Sequence, residues 1–537
     1  LSCCYQAITR GPSQSLNNYT EDTDSRYKLG SCIPVKNDVT PIYESFIYIR
    51  CKNSYYIIVY RNVHHFIQRD HLNSILGKNI AMMELLNSKS STSSKNSDNQ
   101  KPLSVMLMGL DSTSRNNLQR YLPKTFAYLK ESKAIDLLGY NKVGDNTFPN
   151  LLPLLSGLQE KTILQKCTNG VRKGPFDKCS FLWNNFSTLG YVTAYGEDSI
   201  EDGTFNYMKT GYVSPPTDLY LRPFIQASED LIGYYTNKLQ PVPAWCLGHR
   251  TSTEIVYDYA LEMLENIHEV PSFSLFWSSR YTHDNLELPN AIDESTRTFL
   301  QKASKRDDLI LIFLSDHGLR FGDIRKTIIG KYEENMPYFF VLLPQWFIKK
   351  YKTAYRALQE NQNRLVTPQD IYVTLLDILQ EQYKNKKYLS TTHNLKSTAM
   401  TLFKEIPKER NCDDALVPYN FCSGILYDDI YPYSPQTIKA ANYIISFLNK
   451  GLSKYDDCVQ LKLLRIIRAR QGLVKRIPVY SITIMTYPAN ALLETTVKEI
   501  NGEFEVSGEV SRINRYGLQS VCISNGLYKK YCFCKYF

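Results

Sequence analysis

Residues 309–318 read LILIFLSDHG, six consecutive apolar residues followed by Ser-Asp-His-Gly. Similar apolar runs occur at residues 103–110 (LSVMLMGL), 272–277 (SFSLFW) and 338–343 (YFFVLL). Strands that are apolar along their whole length are typical of a parallel sheet covered on both faces. Helical patterns lie between these runs, for example at residues 252–267 and 370–379. This alternation predicts an α/β protein with a doubly wound core sheet flanked by helices.

The composition is that of an ordinary globular protein. The chain has 537 residues, of which 43% are hydrophobic and 22% charged, which excludes a disordered chain, a collagen and a coiled coil. The formal net charge of +10 is spread along the chain, so no nucleic-acid partner is predicted. The densest basic stretch, residues 462–476 (KLLRIIRARQGLVKR), is interpreted as an amphipathic helix with a solvated basic face.

Changes in composition divide the chain into four parts. Residues 1–86 form a cysteine-containing, β-rich N-terminal extension, and the Ser/Asn/Lys-rich residues 87–101 form a linker or surface loop. The core occupies residues 102–405. Residues 406–537 form a small cysteine-rich α+β region. In it we expect helix over residues 433–475 and antiparallel strands at residues 479–486, 504–510 and 519–523.

The 13 cysteines indicate an oxidising compartment. They lack the paired CxxC spacing of a zinc site, so we expect local disulfides with one cysteine left over. The candidates are Cys32, Cys51, Cys167, Cys179, Cys412 and Cys422. Sequons at Asn18 and Asn185 agree with a glycoprotein that is secreted or lumenal. No apolar run reaches the ~18 residues of a membrane span, although a signal peptide or an anchor upstream of Leu1 is compatible with the sequence.

Metal-binding residues follow two of the predicted strands. Asp111 comes directly after the first run, and Asp316 and His317 follow the run at residues 309–314. Parallel strands deliver their carboxyl ends to one edge of a sheet, so these three side chains are expected to converge. Carboxylates with an imidazole suit Zn²⁺, Mn²⁺, Mg²⁺ or Ca²⁺. For Asp111 alone the alternative is a helix N-cap.

Residues 147–157 (TFPNLLPLLSG) resemble the nucleophile segment of the alkaline phosphatase superfamily. Sulfatases write this segment as Cys-x-Pro-Ser-Arg-x-x-x-Leu-Thr-Gly, which places the nucleophile on Thr147. A threonine there resembles the phosphoethanolamine transferases and nucleotide pyrophosphatases, which use a hydroxyl nucleophile. The sulfatase Arg is replaced by Leu151. The alternative role for Thr147 is an ordinary helix N-cap.

The chain resembles more closely the DUF229 family of that superfamily, whose members are found in nematodes and insects. The similar motifs, in order, are GLDSTSR (109–115), GYNKVGDNTFPN (139–150), WSSRYTHD (277–284), SDHGLRFG (315–322), GKYEENMP (330–337), RNCDDA (410–415) and YCFC (531–534). The family pattern usually carries His-Gly-x-Ser-Leu where this chain has TAMTL at 398–402, with His393 five positions earlier. The resemblance implies an alkaline-phosphatase-like fold and one or two divalent ions.

The resemblance also implies roles for individual residues. Thr147 is the expected catalytic nucleophile, and Asp111, Asp316 and His317 are the expected metal ligands. His283 is expected to bind a second metal or the substrate, with a plain hydrogen-bonding histidine as the alternative. Arg115 and Arg320 are candidates for substrate binding, with ion pairing inside the fold as the alternative. Glu197 and Asp198 follow another predicted strand and are interpreted as solvated loop acids.

Three functions remain open at this stage. The first is a metal-dependent phosphoester hydrolase or phospho-group transferase that uses a threonine nucleophile on an anionic ester, on a glycan or a lipid. The second is a sulfoester hydrolase, which the absence of Cys at position 147 disfavours. The third is a catalytically degenerate extracellular binding protein that retains the fold.

Overall fold

A seven-stranded sheet forms the centre of the molecule. The computed structural model describes residues 1–12, 14–36, 39–90, 102–235, 246–394 and 396–536. In spatial order the strands are Ile135–Asp136, Phe339–Leu342, Leu309–Leu314, Ser104–Leu110, Ser272–Ser278, Val192–Glu197 and Leu219–Tyr220. The last five run parallel to one another. Phe339–Leu342, expected from its composition to join a parallel sheet, instead pairs antiparallel with both neighbours. The predicted α/β core is confirmed.

Both faces of this sheet are covered, which explains why its strands are apolar throughout. Val105 and Leu107 belong to one hydrophobic cluster, whereas Met106 and Met108 belong to a second. Alternate residues of a strand point to opposite faces, so each face requires its own apolar set. Gly109 allows two central strands to pack closely, because a Cβ there would lie 1.9 Å from the Trp277 ring.

Helices form the two outer layers. Those packed in the first cluster are Thr147–Ser156, Glu160–Cys167, Leu182–Ser187, Gln345–Lys350, Lys352–Asn361 and Pro368–Leu379. Those packed in the second are Arg69–Ser90, Arg115–Tyr121, Pro123–Glu131, Arg222–Leu231, Ser252–Asn266 and Asp293–Ala303. Two further helices, Ile328–Asn335 and Lys386–Leu389, lie in connections. No described helix is long and apolar enough to cross a membrane.

The N-terminal region packs directly on the core. Its antiparallel strands are Tyr27–Leu29, Ser2–Arg10, Phe46–Lys52 and Ile58–His65. Ile8, Tyr48 and Val63 from these strands share the second hydrophobic cluster with core residues. Helix Arg69–Ser90 includes the first residues of the predicted 87–101 linker, and residues 91–101 lie outside the described part of the chain.

The C-terminal region is a small α+β unit, as predicted. Helix Pro435–Leu452 packs on an antiparallel sheet whose strands are Tyr427–Asp429, Lys462–Val474, Ile477–Tyr487, Leu492–Ile500 and Glu503–Val506. The short strand Ser511–Arg512 pairs with Leu492–Ile500, and helix Gly526–Lys529 follows.

Two secondary-structure predictions for this region are wrong. Residues 462–476 are not a helix, because Lys462–Val474 forms a β-hairpin with Ile477–Tyr487. The hairpin turn consists of Lys475 and Arg476, with φ of 48° and 69°. Two-residue turns of this kind usually carry Asn-Gly, so Lys-Arg hides the hairpin in the sequence. The predicted strand at 519–523 is likewise a short 3₁₀ turn, Gly517–Ser520.

Twelve of the cysteines form six disulfides, and Cys246 is the one left over, as expected. The pairs are Cys3–Cys51, Cys4–Cys32, Cys167–Cys179, Cys412–Cys422, Cys458–Cys532 and Cys522–Cys534. All six candidate cysteines are therefore bonded. Of the two sequons, Asn18 is exposed, whereas Asn185 is half-buried within helix Leu182–Ser187.

Candidate active site

The three predicted metal ligands meet at one edge of the central sheet. Asp111 follows Ser104–Leu110, and Asp316 and His317 follow Leu309–Leu314. These two strands are paired in parallel with Leu314 opposite Gly109, so their carboxyl ends lie together. One ligand atom from each of the three side chains lies within 4.8 Å of the others, and all three residues are buried.

Ser112 connects the two acidic groups. Its backbone N–H donates to Asp316 Oδ1 at 3.1 Å, and its hydroxyl donates to Asp111 Oδ1 at 2.9 Å. To make both contacts Ser112 adopts φ +56°, a left-handed conformation that costs a non-glycine residue roughly 1 kcal/mol. Asp111 does not cap the following helix, since Ser114 accepts the N-terminal hydrogen bond from Asn117. Asp111 is thus available as a ligand.

The unpaired atoms of this group fit a divalent cation. Asp316 Oδ2 and His317 Nε2 are buried without a hydrogen-bond partner and lie 3.2 Å apart. His317 Nδ1 lies 2.8 Å from Gly318 O, which fixes the proton on Nδ1 and leaves the Nε2 lone pair for a metal. His317 Nε2 is also 3.8 Å from Asp111 Oδ1. A cation at this point would satisfy atoms that the protein leaves unbonded.

The electrostatics of Asp111, Asp316 and His317 also favour a bound cation. Burial lowers the pKa of His317 to about 4, which keeps the imidazole neutral. Burial and the neighbouring charge of Asp316 raise the pKa of Asp111 to about 8. Two carboxylates in a buried site repel each other and lose hydration, and a dication offsets both effects.

Thr147 is the first residue of helix Thr147–Ser156, and its hydroxyl faces Asp111. Thr147 Oγ1 lies 3.3 and 3.4 Å from the two carboxylate oxygens of Asp111. The N-cap position belongs to Asn146, whose side chain makes no capping hydrogen bond. Thr147 is therefore not an N-cap, and the positive end of this helix faces the site without a side-chain cap.

A cavity of about 300 Å³ opens above Asp111 and Thr147. Five carboxylates line it, Asp111, Asp145, Asp202, Asp284 and Glu509, beside six cationic side chains: Arg172, Lys209, Arg320, Arg512, Arg515 and Lys530. The last three belong to the C-terminal region, which therefore forms one side of the pocket. A dication held at Asp111 would add to the six cationic side chains, and the pocket would then suit an anionic ligand.

His283, predicted to bind a metal, lines the same pocket. Its Nδ1 lies 3.1 Å from Asp284 Oδ1, and its side chain is 31% exposed. Burial opposes the charged form of His283, but the hydrogen bond that it donates to Asp284 and the charge of Asp111 raise its pKa to about 9. His283 thus stands beside the cluster of Asp111, Asp316 and His317 rather than within it.

The two candidate arginines lie in different places. Arg320 lines the pocket, with Nη1 3.9 Å from Asp145 Oδ2. Arg115 does not line the pocket, and its guanidinium makes two hydrogen bonds to Asp136, the shorter at 2.6 Å. Asp136 belongs to Ile135–Asp136, the edge strand of the central sheet, so the contact with Arg115 stabilises the fold.

Other residues considered from the sequence also lie outside the pocket lining. Asp198 is fully buried and accepts from the Ser278 hydroxyl at 2.7 Å, which connects two strand ends, and Glu197 is buried against Thr204. They are not the solvated loop acids expected. His393 Nε2 lies 3.1 Å from the carbonyl oxygen of Thr401, away from the site.

Two groups of the described residues have the spacing of metal ligands, and only the group of Asp111, Asp316 and His317 is suited to a metal. A cysteine group at Cys458, Cys522 and Cys532 has comparable spacing, but all three are disulfide-bonded. The site of Asp111, Asp316 and His317 provides ligands for one ion.

Sequence reasoning missed the residues around Asp145. Asp145 Oδ2 accepts from Lys530 Nζ at 2.7 Å, and Asp145 Oδ1 accepts from the Ser511 hydroxyl at 2.6 Å. Lys530 also pairs with Glu509 at 2.8 Å. The only available signal was the position of Asp145 within the 139–150 motif. Nothing in the sequence indicates that Lys530 reaches it.

The described geometry can be compared with known proteins. The family model "Protein of unknown function (DUF229)" matches residues 1–467, and no curated protein matches the chain. Similar solved structures include a phosphonate monoester hydrolase of Agrobacterium radiobacter, with 13% identity and a TM-score of 0.40 over 72% of this chain and 89% of that one. Another is a protein in the alkaline phosphatase superfamily from Vibrio parahaemolyticus, with 12% identity and a TM-score of 0.37 over 80% and 90%.

A third is the lipoteichoic acid synthase LtaP from Listeria monocytogenes, with 15% identity and a TM-score of 0.31 over 49% of this chain and 72% of that one. These structural similarities are remote, and a function has to be argued from the site itself. The match to the family model, in contrast, spans most of the sequence: the chain belongs to the DUF229 family.

Proposed function

We propose that this protein is a metal-dependent phosphoester hydrolase or phospho-group transferase with Thr147 as its covalent nucleophile. The observation that carries the proposal is the position of the Thr147 hydroxyl, 3.3 Å from Asp111, in a cluster whose Asp316 and His317 atoms lack partners. A hydroxyl at this position, rather than a cysteine, favours a phosphoester over a sulfoester substrate.

Asp111, Asp316 and His317 would hold the ion, one each through a carboxylate or imidazole atom. When bound, a dication supplies charge that lowers the pKa of a nearby hydroxyl and stabilises anionic oxygens. The Thr147 hydroxyl gives its proton to solvent, and its oxygen bonds to phosphorus. The phosphorus–oxygen bond to the leaving group breaks, the leaving oxygen takes a proton from solvent, and the phosphoryl group is then carried on Thr147 Oγ1. Water or an acceptor alcohol then removes the phosphoryl group from Thr147.

The surrounding residues stabilise the anionic group. Helix Thr147–Ser156 begins at the pocket, which Asn146, Thr147 and Phe148 line, and a helix N-terminus favours phosphate oxygens. Arg320 and His283 line the pocket on either side and add positive charge. The buried Asp145 holds Arg320 in place, so the guanidinium is positioned before substrate arrives.

We also propose that the protein acts outside the cytosol on an anionic ester, on a glycan or a lipid. Six disulfides in the described residues support an oxidising compartment. The exposed sequon at Asn18 supports glycosylation there.

The test is turnover of 4-nitrophenyl phosphate and 4-nitrophenyl sulfate with Zn²⁺, Mn²⁺, Mg²⁺ or Ca²⁺. We expect hydrolysis of the phosphate ester, lost on the order of 10³-fold or more in Thr147→Ala. Thr147→Ser, which keeps a hydroxyl, should retain part of the activity. Thr168→Ala is the matched control, since Thr168 is also half-buried but lies outside the pocket lining.

Full activity in Thr147→Ala would exclude Thr147 as the nucleophile. A preference for the sulfate ester would favour the sulfoester hydrolase. No turnover of either ester by the metal-loaded protein would favour a binding protein that retains the fold.

A further inference from the structure

Lys209 is a cation of the active-site pocket that has no acidic partner. It lines the pocket with Thr147 and Phe148. Its Nζ donates to the carbonyl oxygen of Tyr207 at 2.9 Å and lies 4.3 Å from the centre of the Phe148 ring. None of the described carboxylates forms an ion pair with Lys209, unlike Lys530 in the same pocket. Its remaining N–H donors are available to a ligand.

Arg172 lies over the same aromatic ring. Its guanidinium carbon is 5.3 Å from the centre of the Phe148 ring, and its Nε is paired with Glu160. Phe148 directly follows Thr147 and is 2% exposed, so both cations cover a fixed ring beside the nucleophile. Of the two carboxylates that act on Lys209, Glu160 is paired with Arg172, and Glu197 forms no ion pair with Lys209.

The backbone that carries Lys209 is held rigidly. Asp24 of the N-terminal region accepts from Asn206 Nδ2 and from the backbone N–H of Tyr212, both at 3.1 Å. The N–H of Thr210 donates to Lys173 O at 2.8 Å, which ties the segment to the neighbour of Arg172. Such anchoring reduces the entropy lost when a ligand binds.

The backbone conformation of Met208 also indicates that the segment carrying Lys209 is constrained. Its φ is +53°, a left-handed conformation that a side chain such as that of methionine rarely adopts. Backbone strain next to a pocket residue is typical of segments that position a side chain for ligand binding. Burial and the charge of Arg172 lower the pKa of Lys209 to about 7, with Glu160 and Glu197 only partly opposing them. A bound anion would favour the charged ammonium.

We propose that Lys209 and Arg172 form a second anion subsite, and that the substrate carries a second oxyanion group besides the phosphoryl group that reacts at Thr147. The substrate class is then a small phosphoester with an additional carboxylate, sulfate or phosphate. This inference rests on the proposed function only for the phosphoryl group that reacts at Thr147. The cavity of about 300 Å³ is at the small end of ligand pockets, which suits a compact doubly anionic group.

The first experiment measures the subsite without turnover. Inorganic sulfate is titrated calorimetrically into the full-length Asp316→Ala protein, in which the metal site is disabled, with and without Lys209→Met. We expect millimolar binding that weakens at least about 5-fold when Lys209 is replaced. Lys178→Met, at an exposed lysine outside the pocket, should leave the binding unchanged. Absent binding, or equal binding with Lys209→Met, would overturn the subsite.

The second experiment measures the substrate class. Turnover of phenyl phosphate is compared with that of 4-carboxyphenyl and 4-sulfophenyl phosphate in the metal-loaded wild-type protein and in Lys209→Met. The three esters differ in intrinsic reactivity, but these differences are the same for both proteins and cancel when the preferences of the two proteins are compared. We expect a preference in kcat/KM of roughly 10-fold or more for a doubly anionic probe, largely lost in Lys209→Met. The carboxylate and sulfonate arms identify which group is recognised.

The two experiments separate the two proposals. Sulfate binding that depends on Lys209, without turnover of any ester, would contradict the proposed function and leave the subsite standing. Turnover with no preference for a second anion would contradict the subsite and leave the proposed function standing.

Discussion

The ammonium of Lys530 lies 2.7 Å from Asp145 Oδ2, although 385 positions separate the two residues. Asp145 is buried and comes shortly before Thr147, so the C-terminal region holds the segment that carries the proposed nucleophile. The Ser511 hydroxyl holds the other oxygen of Asp145 at 2.6 Å. Lys530 and Arg320 together keep the pKa of Asp145 well below its usual range, even though burial opposes this. The candidate active site is thus completed by a region outside the α/β core.

Replacing Lys530 should impair catalysis without removing the metal. In Lys530→Met the Asp145 segment loses its strongest partner, and a small displacement of Thr147 is expected to lower kcat by roughly 10- to 100-fold. Metal content and KM should change little, because Lys530 contacts neither the metal ligands nor the Lys209–Arg172 subsite. Steady-state kinetics with metal analysis measures both. The exposed Lys535→Met is the control, and an unchanged kcat in Lys530→Met would argue against this positioning role.

The two arginines proposed for substrate binding should respond differently to the same substitution. Arg320→Met is expected to raise KM for a phosphoester about 10-fold, since Arg320 lines the pocket. Arg115→Met should leave KM unchanged and lower the free energy of unfolding by about 1 kcal/mol, because it removes a partly exposed bridge to Asp136. Kinetics and urea unfolding of both variants test this contrast. An increase in KM for Arg115→Met would indicate instead that Arg115 binds substrate.

Acid should weaken the contact between the core and the C-terminal region. Glu494 of the C-terminal sheet is buried and accepts from Arg325 of the core at 2.9 Å, with Lys331 at 3.4 Å. Burial opposes ionisation, but these cations lower the pKa of Glu494 to about 2 from a usual 4.5. A depressed folded-state pKa contributes stability that is complete above pH 4.5 and is lost as the pH falls toward 2.

The contribution of Glu494 is on the order of 3 kcal/mol. Urea unfolding between pH 7 and pH 3 measures the part that is lost above pH 3, about 2 kcal/mol. Glu494→Gln should be less stable at pH 7 and should lose less stability in this window than the wild-type protein. Parallel pH profiles of the two proteins would show that Glu494 is not responsible.

The sequence alone was sufficient to locate the centre of the site. Asp111, Asp316 and His317 follow apolar strands, and the parallel arrangement of those strands brings their carboxyl ends to one edge. The same rule identified the core strands, because only strands buried on both faces are apolar throughout. Thr147 was identified from the resemblance of residues 147–157 to the nucleophile segment of the alkaline phosphatase superfamily, and the structure places it beside Asp111.

Contacts between distant parts of the chain escaped prediction. The hairpin at Lys475 and Arg476 lacks the usual turn residues, so a basic strand resembled a helix. Lys209 and Lys530 had no local motif, since their significance depends on packing against Phe148 and Asp145. Arg115 was a candidate for substrate binding with ion pairing as the alternative, and the structure shows the ion pair, whose partner Asp136 could not be identified from the sequence.

Metal content tests the central claim most directly. The full-length protein, purified in the presence of Zn²⁺, Mn²⁺, Mg²⁺ and Ca²⁺ in turn, is analysed by inductively coupled plasma mass spectrometry beside the Asp316→Ala/His317→Ala variant. Because the described ligands form one cluster, we predict about one equivalent of a divalent metal per chain in the wild-type protein and none in the variant. A wild-type protein that binds no metal, or a variant that retains it, would contradict the proposed site.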